Sequence, residues 1–322
     1  MNDDPARRLY LDALTEAAEV PRTSLRPLLF TAARARRRPA VAASGWTAPY
    51  AGRIAAMDAL LAEVDEDDWH KETVEGWTLQ ELLAHLAAKD GLVALAVGAP
   101  VLGPPVTVDE ALARTAQLQE YERRREPGQT RRDWRAQADA LCRHLAALPP
   151  DTPADVSGFP MAAADHLLGR ALETWLHTAD AAGVVGIAVP DPVPEHIAPT
   201  ADLCVRVMPV TMRVSGHAVP EGRAVRLVLT GPGGGRWHVP LHPGGRAVRE
   251  DGAAGGTGLD GASAGGIGTD GASADATITC DVVEFCFLVG GRGEPATFAA
   301  EVEGDSALAR DLLHAAPALS GP

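Results

Sequence analysis

Apolar positions recur at helical spacing from Gly52 onward. In RIAAMDALLAEVDEDDW, Ile54, Met57, Leu60, Leu61 and Val64 fall on one face before an acidic stop and Trp69, which predicts a first helix. Thr78 with Glu81 three residues on has the form of a capping box. It starts a second helix over TLQELLAHLAAKDGLVALAVG, with Leu79, Leu82, Leu83, Leu86 and Val93 as the buried stripe. His85 lies at the edge of that stripe. Pro100, Pro104 and Pro105 break the pattern. TVDEALARTAQLQEYERRREPG then predicts a third, largely solvent-facing helix, and TRRDWRAQADALCRHLAALPP a fourth with Trp134, Leu141, Leu145 and Leu148 on one side. In MAAADHLLGRALETWLHTADAAGV, Leu167, Leu168, Leu172, Trp175 and Leu176 alternate with a polar face that bears Glu173 and His177. Long helices joined by loops, with no strands between them, predict an up-and-down four-helix bundle.

The pattern changes at Pro190. PDPVPEHIAPTADLC reads as linker or short helix, and AVRLVLTG and GRWHVPLH alternate as strands joined by Gly231-Pro232-Gly233. ATITCDVVEFCFLVGG resumes strand or mixed character, ATFAAEVEG reads as a strand, and SALARDLLHAA closes the chain as a helix. Between them, residues 252–274 are rich in Gly, Ala and Ser and hold an imperfect repeat, LDGASA and TDGASA, which predicts a flexible loop. The expected organisation is an N-terminal extension (1–45), a helical domain (46–188) and a smaller α+β domain (189–322).

Charge narrows the partners. The 322 residues carry a net charge of −14, and the first 45 residues alone hold eight Arg against five acidic residues, so the body is more acidic still. Such a body does not suit nucleic acid or an anionic membrane, and an anionic substrate would have to be held by a few placed arginines. The basic cluster ARARRRP (Ala33 to Pro39) reads as a solvated helix end. No apolar run reaches the length of a membrane span, and MNDDPARRLYLDAL lacks a signal-like core. Cysteines 142, 204, 280 and 286 show neither a CxxC nor a scaffold spacing; Cys280 and Cys286 would share a strand face if no turn intervened, but buried free thiols are expected. Together these features predict a cytoplasmic protein.

The stretch with chemistry in it is RALETWLHTAD, Arg170 to Asp180. On a helix, Glu173 and His177 project from one face, one turn apart, as two ligands of one metal do. The pair needs a third donor. His85 supplies it if the second and fifth helices are neighbours; otherwise it is an ordinary core histidine. Two imidazoles and a carboxylate leave a fourth position on Zn²⁺ open, the arrangement of a catalytic site, and Fe²⁺ accepts the same donors. Asp180, one turn beyond His177, either orients that ring or is a surface residue at a helix end.

The combination of DDWHKETVEGWTLQELLAHL with RALETWLHTAD resembles the mycothiol-dependent maleylpyruvate isomerase family, within the DinB-like metal-binding bundles. The tail from DATITCDVVEFCFLVGGRGE to ARDLL is similar to that family's sterol-carrier-like C-terminal domain. The resemblance implies metal ligands at His85, Glu173 and His177, with Zn²⁺ as the divalent metal and mycothiol as thiol cosubstrate. It implies a cleft between the two domains, with Arg292 positioned to hold a small electrophilic or anionic substrate. Arg170 is a second candidate, for a substrate carboxylate or for Glu173 itself. The implied reaction is cis–trans isomerisation by thiolate addition, bond rotation and elimination. A mycothiol S-transferase, a metal-dependent hydrolase and a non-catalytic metal- or thiol-binding protein are the alternatives. The extension, the 252–274 insertion and Val74-Glu75-Gly76-Trp77, where the family often has Pro-Gly-Trp, depart from the simple pattern.

Overall fold

The computed structural model describes residues 40–41, 43, 45–217, 222–242, 245–250 and 273–320. Nearly all of the expected N-terminal extension, with its basic cluster, and almost all of the Gly/Ala-rich loop lie outside these residues. Ala40–Pro322 form one compact unit with two large apolar clusters.

The first cluster is the interior of a helical bundle. Helices α1 (Ala48–Leu61), α2 (Leu79–Ala96), α4 (Pro127–Leu145) and α5 (Ala163–Val185) enclose Ile54, Met57, Leu82, Leu86, Trp134, Leu141 and Leu167. The capping box opens α2: the Thr78 hydroxyl accepts from the Glu81 backbone N–H, and the Glu81 carboxylate accepts from Thr78 N–H at 2.8 Å. Helix α3 (Ala111–Glu122) lies beside α2, where Leu118 packs on Ala84 and Ala88. It was expected to face solvent, but only its outer side does: Arg114, Thr115, Gln119 and Glu122 are buried with Leu118. Asp58 on α1 accepts from Arg131 at 2.7 Å and Arg135 at 2.9 Å, both on α4, which fixes the pairing of those helices.

One short hairpin interrupts the helices, against the expectation that no strands lie between them. β1 (Pro153–Val156) pairs antiparallel with β2 (Phe159–Ala162) and leads straight into α5. Ser157 and Gly158 both take positive φ at its tip, the backbone of a tight two-residue hairpin turn.

The second cluster lies under a five-stranded sheet of order β5-β4-β3-β6-β7, formed by β3 (Ala224–Thr230), β4 (Gly235–Pro240), β5 (Val248–Arg249), β6 (Ala276–Asp281) and β7 (Glu301–Gly304). β3 and β6 run parallel and the other pairs are antiparallel. The stretch read as linker or short helix is instead a 21-residue helix, α6 (Pro194–Val214). Pro194 sits in its first turn, where no donor is lost, but Pro199 and Pro209 are interior and argue against a helix by propensity. Burial overrides them, because Ile197, Ala201, Cys204, Val205, Met208 and Met212 all pack into the second cluster.

ATITCDVVEFCFLVGG divides at Asp281. The strand ends there, and the Asp281 side chain accepts from Val283 and Glu284 N–H to cap α7 (Val282–Val289). Cys280 and Cys286 therefore sit on different elements, and all four cysteines are buried free thiols. In ATFAAEVEG only Glu301–Gly304 is strand, followed by α8 (Ser306–Ala315). No described helix is long and apolar enough to cross a membrane.

Candidate metal centre

α2 and α5 are neighbours, and their contact brings the three donors together. His85, Glu173 and His177 each offer a ligand atom within 4.8 Å of the others, two from α5 and one from α2. His85 is 1 % exposed, with Nε2 2.7 Å from Glu173 Oε1 and Nδ1 3.4 Å from the Thr115 hydroxyl on α3. The Trp77 ring lies 4.8 Å from the His85 ring, centroid to centroid, and His177 meets it edge-on at 5.2 Å. His177 Nδ1 bonds Asp180 Oδ2 at 3.0 Å, which leaves Nε2 as its remaining donor atom.

Charged neighbours set the state of these groups. Burial pushes the His85 pKa down to about 4, and His177 and Arg170 add to that, against an opposing pull from Glu173. At neutral pH His85 is uncharged, the form in which imidazole binds a metal. Burial works to raise Glu173, but Arg170 and the His85 hydrogen bond outweigh it and hold the carboxyl well below the usual range. Asp180 behaves alike: burial raises it, and hydrogen bonds from His177 and Arg292 bring it below its ordinary value.

The two arginines are both turned onto carboxylates of the chain. Arg170 donates through Nη1 to Glu173 Oε2 and through Nε to Asp90 Oδ1 at 2.8 Å. Arg292 grips Asp180 with two bonds, Nη2 to Oδ2 at 2.7 Å and Nε to Oδ1 at 3.0 Å. Gly290 permits that approach, since a Cβ there would stand 2.1 Å from Leu176 Cδ1, one residue before His177.

Four residues at the site escape a reading of periodicity. Asp90 and Thr115 are ordinary helix positions in the sequence, and only the neighbour each meets gives it a role. Lys89, one turn after His85, is half-buried, and burial lowers its pKa against the pull of Glu173. Glu75 is exposed at φ 59°, a left-handed conformation for a non-glycine residue, close enough to Arg292 to favour its charge.

The helical bundle has relatives. Residues 50–182 match the family described as the mycothiol maleylpyruvate isomerase N-terminal domain. The match spans most of the helical bundle, from α1 to α5. All three donors, Asp90, Thr115, Arg170 and Asp180 lie within the matched span. Two curated relatives, the uncharacterized proteins Rv0036c and MT0041 of Mycobacterium tuberculosis (strains ATCC 25618 / H37Rv and CDC 1551 / Oshkosh), are each 28 % identical over 192 residues, or 56 % of this chain and 71 % of theirs. Among solved structures, the mycothiol-dependent maleylpyruvate isomerase is 17 % identical at a TM-score of 0.48, over 80 % of this chain and 91 % of that one. A mutant of that isomerase is 16 % identical at a TM-score of 0.49, over 77 % and 88 %.

Proposed function

We propose that the protein is a mycothiol-dependent metalloenzyme that isomerises an activated cis double bond in a small electrophilic or anionic metabolite. The observation that carries this reading is the convergence of His85, Glu173 and His177, within a segment that matches the isomerase domain family. Two imidazoles and one carboxylate are the donor set of an open zinc site, and structural zinc sites use four protein donors instead. A divalent ion held there, Zn²⁺ by donor preference, supplies Lewis acidity that lowers the pKa of a thiol at its open position.

The chain's own part is to prepare that place. Burial keeps His85 uncharged, with Nε2 2.7 Å from Glu173 Oε1 and Nδ1 3.4 Å from the Thr115 hydroxyl; a metal at Nε2 would put the ring proton on Nδ1, facing that hydroxyl. Asp180 accepts from His177 Nδ1 and selects the matching tautomer there. Arg292, from the loop after α7, holds Asp180 in place with two bonds. Trp77 closes one wall over His85 and limits water at the site. A thiol held there would supply a sulfur nucleophile able to add reversibly to one alkene carbon, its electron pair passing to the conjugated carbonyl oxygen and returning after bond rotation, so that the trans double bond would form with the thiol released and none consumed. Use of a low-molecular-weight thiol and the four buried free cysteines both suit a reducing cytoplasm.

The test is elemental analysis of the untagged protein alongside Glu173→Ala, followed by isomerisation assays with and without mycothiol. Near-stoichiometric zinc in the wild type, sharply lower in the variant, with catalytic turnover of thiol, supports the proposal. Stoichiometric loss of thiol identifies an S-transferase instead, and absence of metal after reconstitution refutes the metal reading.

A further inference from the structure

We propose that Asp90 and Arg170 form a positioning pair that limits Glu173 to one coordinating oxygen, so that a metal at the cluster keeps room for an exogenous thiol. The inference rests on the metal reading of His85, Glu173 and His177, and adds to it a reason for the open position.

Arg170 is 5 % exposed, and its guanidinium is held from two sides by α2. Nε donates to Asp90 Oδ1 at 2.8 Å and Nη2 donates to the Leu86 carbonyl at 3.2 Å. With those directions taken, Nη1 points along α5 and donates to Glu173 Oε2. The other oxygen, Oε1, is the one that meets His85 Nε2. The two oxygens of one carboxylate thus have separate neighbours, a guanidinium on one side and the histidine donors on the other. A carboxylate with both oxygens free can chelate and fill two positions of a metal; one with Oε2 tied to a fixed guanidinium offers a single oxygen.

Asp90 is what makes the guanidinium fixed. An arginine three residues before a glutamate on a helix ordinarily exchanges between its partner and water, and such a pair is worth little. Here Asp90 has no exposed surface and the Tyr50 hydroxyl lies beside it, so the Arg170 head is anchored between two helices. A buried ion pair is a poor stabiliser compared with apolar residues of the same volume, because desolvation opposes the attraction. What this one provides is direction.

The experiment loads wild-type protein and three variants with Co²⁺: Asp90→Asn, Arg170→Lys, and the double variant Asp90→Asn/Arg170→Met, which removes both charges of the Asp90–Arg170 pair together. Cobalt stoichiometry, the visible ligand-field spectrum, melting temperature and the affinity for 2-mercaptoethanol, read from its sulfur-to-cobalt charge-transfer band, are measured on each. The expected result is one bound cobalt in every folded variant, a weaker ligand-field band as the second carboxylate oxygen enters, and thiol affinity reduced about tenfold or more. A purely structural pair lowers melting temperature and leaves spectrum and thiol affinity within twofold of wild type, which overturns the proposal. Wild type that binds no cobalt overturns the metal reading itself and this inference with it. Wild type that binds cobalt beside variants of unchanged spectrum overturns the inference alone.

Discussion

Asp180→Ala isolates the part of the site that lies behind the donors. Asp180 Oδ2 accepts from both His177 Nδ1 at 3.0 Å and Arg292 Nη2 at 2.7 Å, while Oδ1 takes Arg292 Nε at 3.0 Å. Removing the carboxylate frees the His177 ring to rotate and change tautomer, a loss that typically weakens metal binding by about 10–100-fold, or about 1.4–2.8 kcal/mol. It also leaves the Arg292 charge without its counter-ion beside a divalent cation, which pushes the effect toward the upper end of that range. The stability cost is smaller. Arg292 is 28 % exposed and can turn to water, so about 1–2 kcal/mol is expected, a shift of a few degrees in melting temperature. The assay is zinc competition against a chromophoric chelator at neutral pH, with Arg292→Ala in parallel. Arg292→Ala keeps the His177–Asp180 bond and is expected to weaken zinc less than Asp180→Ala. Wild-type zinc affinity in Asp180→Ala, or an equal loss in Arg292→Ala, refutes the argument that Asp180 orients His177.

Two further predictions concern the frame of the site. Glu81 is held below its ordinary pKa, since the Thr78 bonds and Arg123 outweigh the burial that raises it, so its contribution is present above the unfolded pKa and is lost as pH falls through the folded one. Glu81→Gln is therefore expected to cost about 1 kcal/mol at pH 7, and melting curves of variant and wild type should converge in acid; a gap that persists in acid refutes the capping account. Gly290→Ala places a methyl 2.1 Å from Leu176 Cδ1 at a backbone φ of −82° that alanine tolerates, so overpacking rather than backbone strain sets the cost, about 1–3 kcal/mol. Denaturant unfolding measures it, and Leu176→Ala in the same chain should recover part of the loss; no recovery shows that the contact is not the cause.

The helices of the bundle were legible in the amino-acid order, because the period of 3.6 residues is a local property and Leu82, Leu83, Leu86 or Leu141 mark it whatever they pack against. The Thr78–Glu81 cap and the shared face of Glu173 and His177 followed from spacing for the same reason. Local rules misread α6, where two interior prolines are tolerated for the sake of an apolar face buried against the sheet. They also missed the short β1–β2 hairpin, which carries little apolar alternation. The partners of the site were beyond them. Whether His85 meets Glu173, 88 residues on, depends on which helices of the bundle are adjacent. Nothing near Arg170 in sequence points to Asp90, 80 residues before it, and nothing near Arg292 points to Asp180, 112 residues before it. The sequence by itself determined which residue types stand on which helix face. Only tertiary packing decided which faces meet, because the direction of a buried charge is set by the side chains that replace its water, and those come from distant parts of the chain.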